Sequence, residues 1–207
     1  TLTLSDDQLT HTQSFSVLVQ PTNDPPTILG DFRLELNEGT SVDITSSDLY
    51  FSDIDDISSN VSFTVLNINN GSINLNGSSS TTFTAADIDN NLVQFNHDGS
   101  ETNSASFDVE VEDGNEDSSI AFEATFTITI NLTNDAPSLA GDLSSTVAEG
   151  DSILLSTSDI NFNDPDNSSN QIIFTASQLI NGFISVNGST STTFTLSDLE
   201  SNAVLFI

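Results

Sequence analysis

The chain has 207 residues and a formal net charge of −30, with 31 acidic side chains set against a single basic one, Arg33. Such a polypeptide repels nucleic acid and anionic membrane surfaces, because gripping phosphate takes the Lys and Arg that are missing here, and its natural partners are cations. It has no Cys, so no disulfide can staple it, and no apolar run approaches the roughly 18 residues of a membrane span.

Taken in chain order, alternating apolar and polar positions predict strands over 32–37, 40–45, 61–68, 72–75, 92–96, 105–112 and 120–132. The last is the longest. Ile120, Phe122, Ala124, Phe126, Ile128, Ile130 and Leu132 occupy every second position, which predicts one face turned inward along its whole length. Asn70-Gly71, Asn76-Gly77, Asp98-Gly99 and Asp113-Gly114 are turn residues that tolerate positive φ. Between strands, 84–90 reads as one short helical turn with Thr84 as N-cap and Asp87 three residues on. Short strands at such intervals, and nothing longer than a turn of helix, predict an all-β sandwich, with fourteen Phe available for its core.

The chain also repeats itself. Asn23-Asp24-Pro25-Pro26 recurs as Asn134-Asp135-Ala136-Pro137, 111 residues later, and with no gap the same offset joins Glu38-Gly39 to Glu149-Gly150 and Phe51 to Phe162. It also joins Asp53 and Asp55 to Asp164 and Asp166, Phe63 to Phe174, Asn70-Gly71 to Asn181-Gly182, and Phe83 to Phe194. Phe15, Val17 and Val19 match Phe126, Ile128 and Ile130. A tandem array follows: the final strands of one repeat over 1–22, a complete repeat over 23–133, and a truncated following repeat over 134–207.

Acidic residues gather where strands end. In a sandwich, Asp24, Asp53, Asp55 and Asp113 are expected at the end where the chain enters, and Glu38, Asp87, Asp89 and Asp135 at the end where it leaves. Asn134, Asp164 and Asp166 serve the second junction in the same way. Any one Asp reads most simply as solvated surface. A cluster is different, since two carboxylates 4 Å apart repel by about 1 kcal/mol in water and up to about 4 kcal/mol near a protein surface. With no Lys or Arg to offset that, a bound cation is expected. Hard oxygen ligands without His or Cys nominate Ca2+ over zinc or copper. His97, in a His-Asp-Gly turn, has no nucleophile-elbow motif to serve, and carboxylate pairs arise by accident among 31 acids, so no enzyme is expected.

The run Val109-x-Val111-x-Asp113-Gly114, a long strand and then Asn134-Asp135-Ala136-Pro137 resembles the end of a cadherin-type repeat. Glu38-Gly39, Phe51-Ser52-Asp53-Ile54-Asp55, Phe83-Thr84-x-x-Asp87-Ile88 and His97-Asp98-Gly99-Ser100-Glu101-Thr102 are similar to cadherin-like repeats of the chondroitin sulfate proteoglycan type, found in animal matrix proteins and large bacterial surface adhesins. The resemblance implies Greek-key sandwiches with calcium between successive domains. It gives Asp53 and Asp55 the paired-Asp role, Asp113 the late-Asp role, Glu38 the early-Glu role, and Asp24 and Asp135 the linker role. The linkers here carry one carboxylate where a cadherin linker has two, which implies fewer or weaker ions.

The expected function is that of an extender: a calcium-stiffened rod in an extracellular or cell-surface adhesin, with calcium, adjacent repeats and cell-surface or matrix ligands as partners. Two alternatives stand beside it, a module binding polysaccharide or protein, and a subunit of a strand-exchanging extracellular filament. Sugar sites usually stack on Trp or Tyr, and the chain has no Trp and one Tyr, Tyr50.

Overall fold

The structure, a computed structural model, describes residues 1–114 and 119–207. Chain contacts divide it into two units, Thr1–Ile130 and Asn131–Ile207. In unit 1 the strands are β1 (Leu2–Ser5), β2 (Thr10–Gln13), β3 (Thr27–Leu29), β4 (Arg33–Asn37), β5 (Ser41–Asp43) and β6 (Tyr50–Ser52). There follow β7 (Ser62–Asn69), β8 (Gly71–Leu75), β9 (Ser78–Ser79), β10 (Thr82–Thr84), the single-turn helix α1 (Ala85–Asp89), β11 (Val93–His97), β12 (Ser104–Glu112) and β13 (Phe122–Asn131).

Two sheets face each other, one ordered β10-β7-β12-β13-β4 and the other β5-β11-β8-β9, in the Greek-key β-sandwich expected from the alternation. Phe63, Phe95, Phe107 and Phe126 lie fully buried between them. Phe107 on β12 is the centre of that core. Its ring stacks on Phe126 at 4.6 Å and meets Phe95, from the opposite sheet, at 6.1 Å. Each such side chain removed from water stabilises the fold by about 1.5–3 kcal/mol.

The turns explain why certain pairs recur. At Asn70 (φ +57°) the chain leaves β7 in one sheet and enters β8 in the other. Gly71 follows because a Cβ there would stand 2.3 Å from the Phe95 ring. Asn76 and Gly77, with φ of +49° and +78°, close the two-residue hairpin between β8 and β9, the geometry Asn-Gly favours. Thr84 caps α1 as expected. Its hydroxyl accepts from the Asp87 N–H, and Asp87 Oδ2 accepts from the Thr84 N–H and hydroxyl, a reciprocal capping box.

The long strand departs from expectation. β13 covers Phe122–Asn131, and only Phe126, Ile128 and Ile130 along it are buried, whereas Ile120, Phe122 and Leu132 are exposed. Pairing with β12 continues to Phe122 opposite Val111. Alternation decides which face a side chain takes, and the packing above that face is supplied by other strands. β3, β6, β9 and β10, at two or three residues each, are too short for a period to register in the sequence.

Unit 2 repeats the pattern with β14 (Ser138–Ala140), β15 (Ile153–Leu154), β16 (Asn161–Asn163), β17 (Ile173–Thr175), β18 (Ile184–Val186), β19 (Ser189–Thr190), β20 (Thr193–Thr195), α2 (Leu196–Glu200) and β21 (Val204–Phe206). The sheet β15-β21-β18-β19 matches β5-β11-β8-β9, while among the described residues β17 pairs with β20 alone. Its smaller core holds Phe174, Ile184, Phe194, Leu196, Leu199 and Val204.

Candidate metal centre

The pairing of β3 with β6, Thr27 opposite Ser52, carries Asp53 and Asp55 back beside the segment that enters unit 1. Asp113 arrives from the end of β12, whose Glu112 is paired with Ser62 of β7. The four expected entry-end acids are then tied together. The Asn23 side-chain amide donates to Asp113 Oδ2 at 2.8 Å, and the Asp24 N–H donates to Asp55 Oδ2 at 3.1 Å. The N–H groups of Asp55 and Asp56 both donate to Asp53 Oδ1, each at 2.6 Å. Asp113 is only 5% exposed.

Asp53 Oδ2 is buried and has no hydrogen-bond partner among the described residues. Unit 2 reproduces the arrangement independently. The Asp135 N–H donates to Asp166 Oδ2 at 2.5 Å, and the N–H groups of Asp166 and Asn167 donate to Asp164 Oδ1 at 3.0 and 2.7 Å. Asp164 Oδ2 is again buried without a hydrogen-bond partner. Asn134 turns its amide N–H onto the Asp135 carbonyl at 2.6 Å.

The opposite end of unit 1 corrects the expectation for two residues. Thr84 lies opposite Ser62, and Ser62 opposite Glu112, so α1 stands at the end that holds Asp113. Asp87 and Asp89 therefore do not join Glu38 where the chain leaves. The reason is strand direction: β10 runs toward the entry end, and the helical turn caps that end before β11 starts back. Asp87 is committed to the capping box through Oδ2, and Asp89 is exposed. Glu38 is buried at the exit end.

Beside Glu38, the His97 ring packs inside the molecule with its side chain fully covered. Its Nδ1 accepts from the N–H groups of Gly39 (3.1 Å) and Gly99 (3.2 Å), which leaves the proton on Nε2, 3.3 Å from the Thr102 hydroxyl. His97 thus ties the Glu38-Gly39 turn to the 97–102 turn. In that second turn the Ser100 hydroxyl, then its N–H, hold the Asp98 carboxyl below the usual carboxylate range.

Against known families, residues 26–130 and 137–207 match the model described as cadherin-like. The chain belongs to the cadherin-like family. No curated protein matches it. Among solved structures it is similar to the crystal structure of human CDH23 EC21-23, at 19% identity and a TM-score of 0.40, over 86% of this chain and 56% of that one. The chain thus spans a little over half the length of that structure.

Two contributors to the cadherin-like repeat's entry end were not evident as site residues. Asn23 carries a legible signal, since it opens the repeated Asn-Asp-Pro-Pro run, but its link to Asp113 joins residues 90 apart in sequence. The Asp56 and Asn167 donors are backbone N–H groups, for which the side-chain identity carries no signal.

Proposed function

We propose that these repeats are extender modules of an extracellular, adhesin-like protein, and that Ca2+ at each entry end fixes the incoming chain to the sandwich. The observation that carries the reading is the buried, unbonded oxygen at Asp53 and at its repeat counterpart Asp164. Leaving such a group unsatisfied costs about 1–3 kcal/mol, more when it is charged, and the arrangement recurs in both units. A hard divalent cation satisfies it. In unit 1 the proposed ligands are Asp53, Asp55, Asp113 and Asp24; in unit 2 they are Asp164, Asp166 and Asp135, with Asn134 adjoining. Glu38 is the proposed carboxylate of the exit end.

The role of calcium is mechanical. The Asp24 and Asp135 N–H groups already bond to Asp55 and Asp166, so an ion held by those carboxylates locks each linker at its point of entry. Extracellular calcium modules bind at about 0.1–1 mM, matched to calcium levels outside the cell. At about 10 mM calcium a 0.1 mM site adds roughly 2.7 kcal/mol of stability.

The test is a calcium titration followed by calorimetry and thermal melting, on the wild type and on Asp53→Asn and Asp164→Asn. Melting of the wild type should rise with calcium and fall back with EDTA. Asp53→Asn should abolish the response of unit 1 alone, and Asp164→Asn that of unit 2. A melting curve indifferent to both calcium and EDTA overturns the proposal in favour of a solvated acidic surface.

A further inference from the structure

Asn is followed by Gly at Asn70, Asn76, Asn181 and Asn187, and at 70, 76 and 187 the run continues into Ser. This dipeptide is chemically special, because no side chain on the glycine keeps its N–H away from the amide carbon of the Asn before it. All four Asn have positive φ, between +49° and +57°. Local conformation therefore does not tell them apart, and what does is the surroundings.

Asn70 is held. Its side-chain amide donates to the Ser104 carbonyl at 2.9 Å, and Gly71 opens β8 opposite His97 with the Phe95 ring and the Asn96 carbonyl against it. Asn76-Gly77 and Asn187-Gly188 instead form the tips of the β8–β9 and β18–β19 hairpins, closed by Leu75 opposite Ser78 and Val186 opposite Ser189. All four tip residues are exposed, and a Cβ on Gly77 or Gly188 would meet nothing within 4 Å. The Asn76 and Asn187 N–H groups are anchored on the Leu92 and Ala203 carbonyls. Among the described residues, nothing binds the side-chain amide of either Asn, and neither glycine N–H donates a hydrogen bond. Electrophile and nucleophile are thus both free at each tip.

We propose that Asn76 and Asn187 are sites of spontaneous deamidation, at which the two hairpin tips turn from neutral amides into carboxylates. The Gly77 nitrogen gives its proton to hydroxide and attacks Asn76 Cγ. The new C–N bond closes a succinimide ring, and the side-chain nitrogen leaves as ammonia. Water then opens the ring at one of its two carbonyls, yielding Asp or isoaspartate, with no oxidant or reductant involved. The same steps join Gly188 to Asn187. Isoaspartate lengthens the main chain by a methylene, whereas a two-residue turn fixes the register of its hairpin by its length. The pairing of Asn74 with Ser79 and of Leu75 with Ser78 is then lost, and β9, at the edge of the sheet β5-β11-β8-β9, comes away. β19 holds the same edge place in β15-β21-β18-β19. The inference does not depend on calcium.

The experiment incubates the whole chain at mildly alkaline pH, well below its melting temperature, beside a sample unfolded in denaturant, and follows each Asn by peptide mapping and mass spectrometry. In the unfolded sample Asn70, Asn76 and Asn187, which share the run Asn-Gly-Ser, should react at similar rates. In the folded chain Asn76 and Asn187 should go on reacting. Asn70 should fall behind them by at least about tenfold, because its amide must first leave Ser104 and Gly71 must leave its packed place. Amide exchange should then show Ser78 and Ser79 losing protection in the fraction that carries isoaspartate. Asn76→Gln, whose longer side chain closes a larger ring far more slowly, should stay intact at that tip while Asn187 still reacts. A folded chain in which Asn70 reacts as fast as Asn76 and Asn187 overturns the proposal. So do hairpin tips that remain intact while the unfolded sample reacts.

Discussion

Strand β4 of unit 1 and the corresponding segment of unit 2, residues 144–148, belong to the same repeat, yet β4 is a regular strand and 144–148 is irregular. The strand next to β4 in its sheet is β13. Among the described residues the rest of that sheet differs too: β7 is eight residues long and β17 three, and β7 lies in a sheet of five strands where β17 is paired with β20. The facing sheet survives almost whole, as does the capped helical turn. In unit 1 one half of the sandwich is thus built from neighbours in sequence, and the other is completed by the β12–β13 hairpin that arrives late in the repeat.

The sharpest way to probe this difference is Phe107→Ala. It removes the ring that stacks on Phe126 and meets Phe95, and should cost unit 1 about 3–5 kcal/mol. Amide exchange in unit 2, read at Phe194 and Val204, should not change. Equal loosening of both units would mean that they unfold as one, against the division drawn here.

A smaller asymmetry is expected at the paired glycines. Gly71→Ala forces a methyl to within 2.3 Å of Phe95, which is fully buried, and should destabilise by about 1–3 kcal/mol in denaturant titrations. Gly182→Ala meets the Phe206 ring at 2.2 Å and the Ile207 carbonyl oxygen at 2.7 Å, but that ring is half-buried where Phe95 is fully buried. Its cost should be the lesser of the two, and the reverse order would show the unit 2 core to be the more rigid.

The smallest effect should be the same in both units. Thr84→Ala and Thr195→Ala each break a capping box and should cost about 1 kcal/mol in thermal melts. The Thr195 hydroxyl, then its N–H, hold the Asp198 carboxyl below its ordinary value. Its contribution is therefore complete above the unfolded pKa of about 3.9 and lost as pH falls toward the depressed folded value. Thr195→Ala should flatten that acid limb of the stability curve. A limb of unchanged steepness would show that the pair does not couple.

Much of the candidate metal centre was legible because its acids sit at strand ends in a gapless repeat. Asp24, Asp53, Asp55 and Asp113 do meet at one end of unit 1. Asp87 and Asp89 were assigned to the wrong end, since composition and spacing do not say which way a three-residue strand such as β10 runs. Buried His97 was read as an ordinary turn residue, because its two N–H donors, Gly39 and Gly99, include one from a distant turn.

What the sequence determined by itself is everything set by residues close in the chain: the strand period, the Asn-Gly hairpins, the capped turn at Thr84 and the 111-residue recurrence. These follow from local sterics and short hydrogen bonds, which act before any long loop has closed. The tertiary structure alone decided which alternating faces are covered. Phe126 and Phe122 occupy equivalent places in the same alternating pattern on β13, and one is wholly buried while the other is 51% exposed. Burial requires a second sheet to arrive from elsewhere, and whether it does depends on contacts tens of residues apart, whose closing entropy no local pattern records.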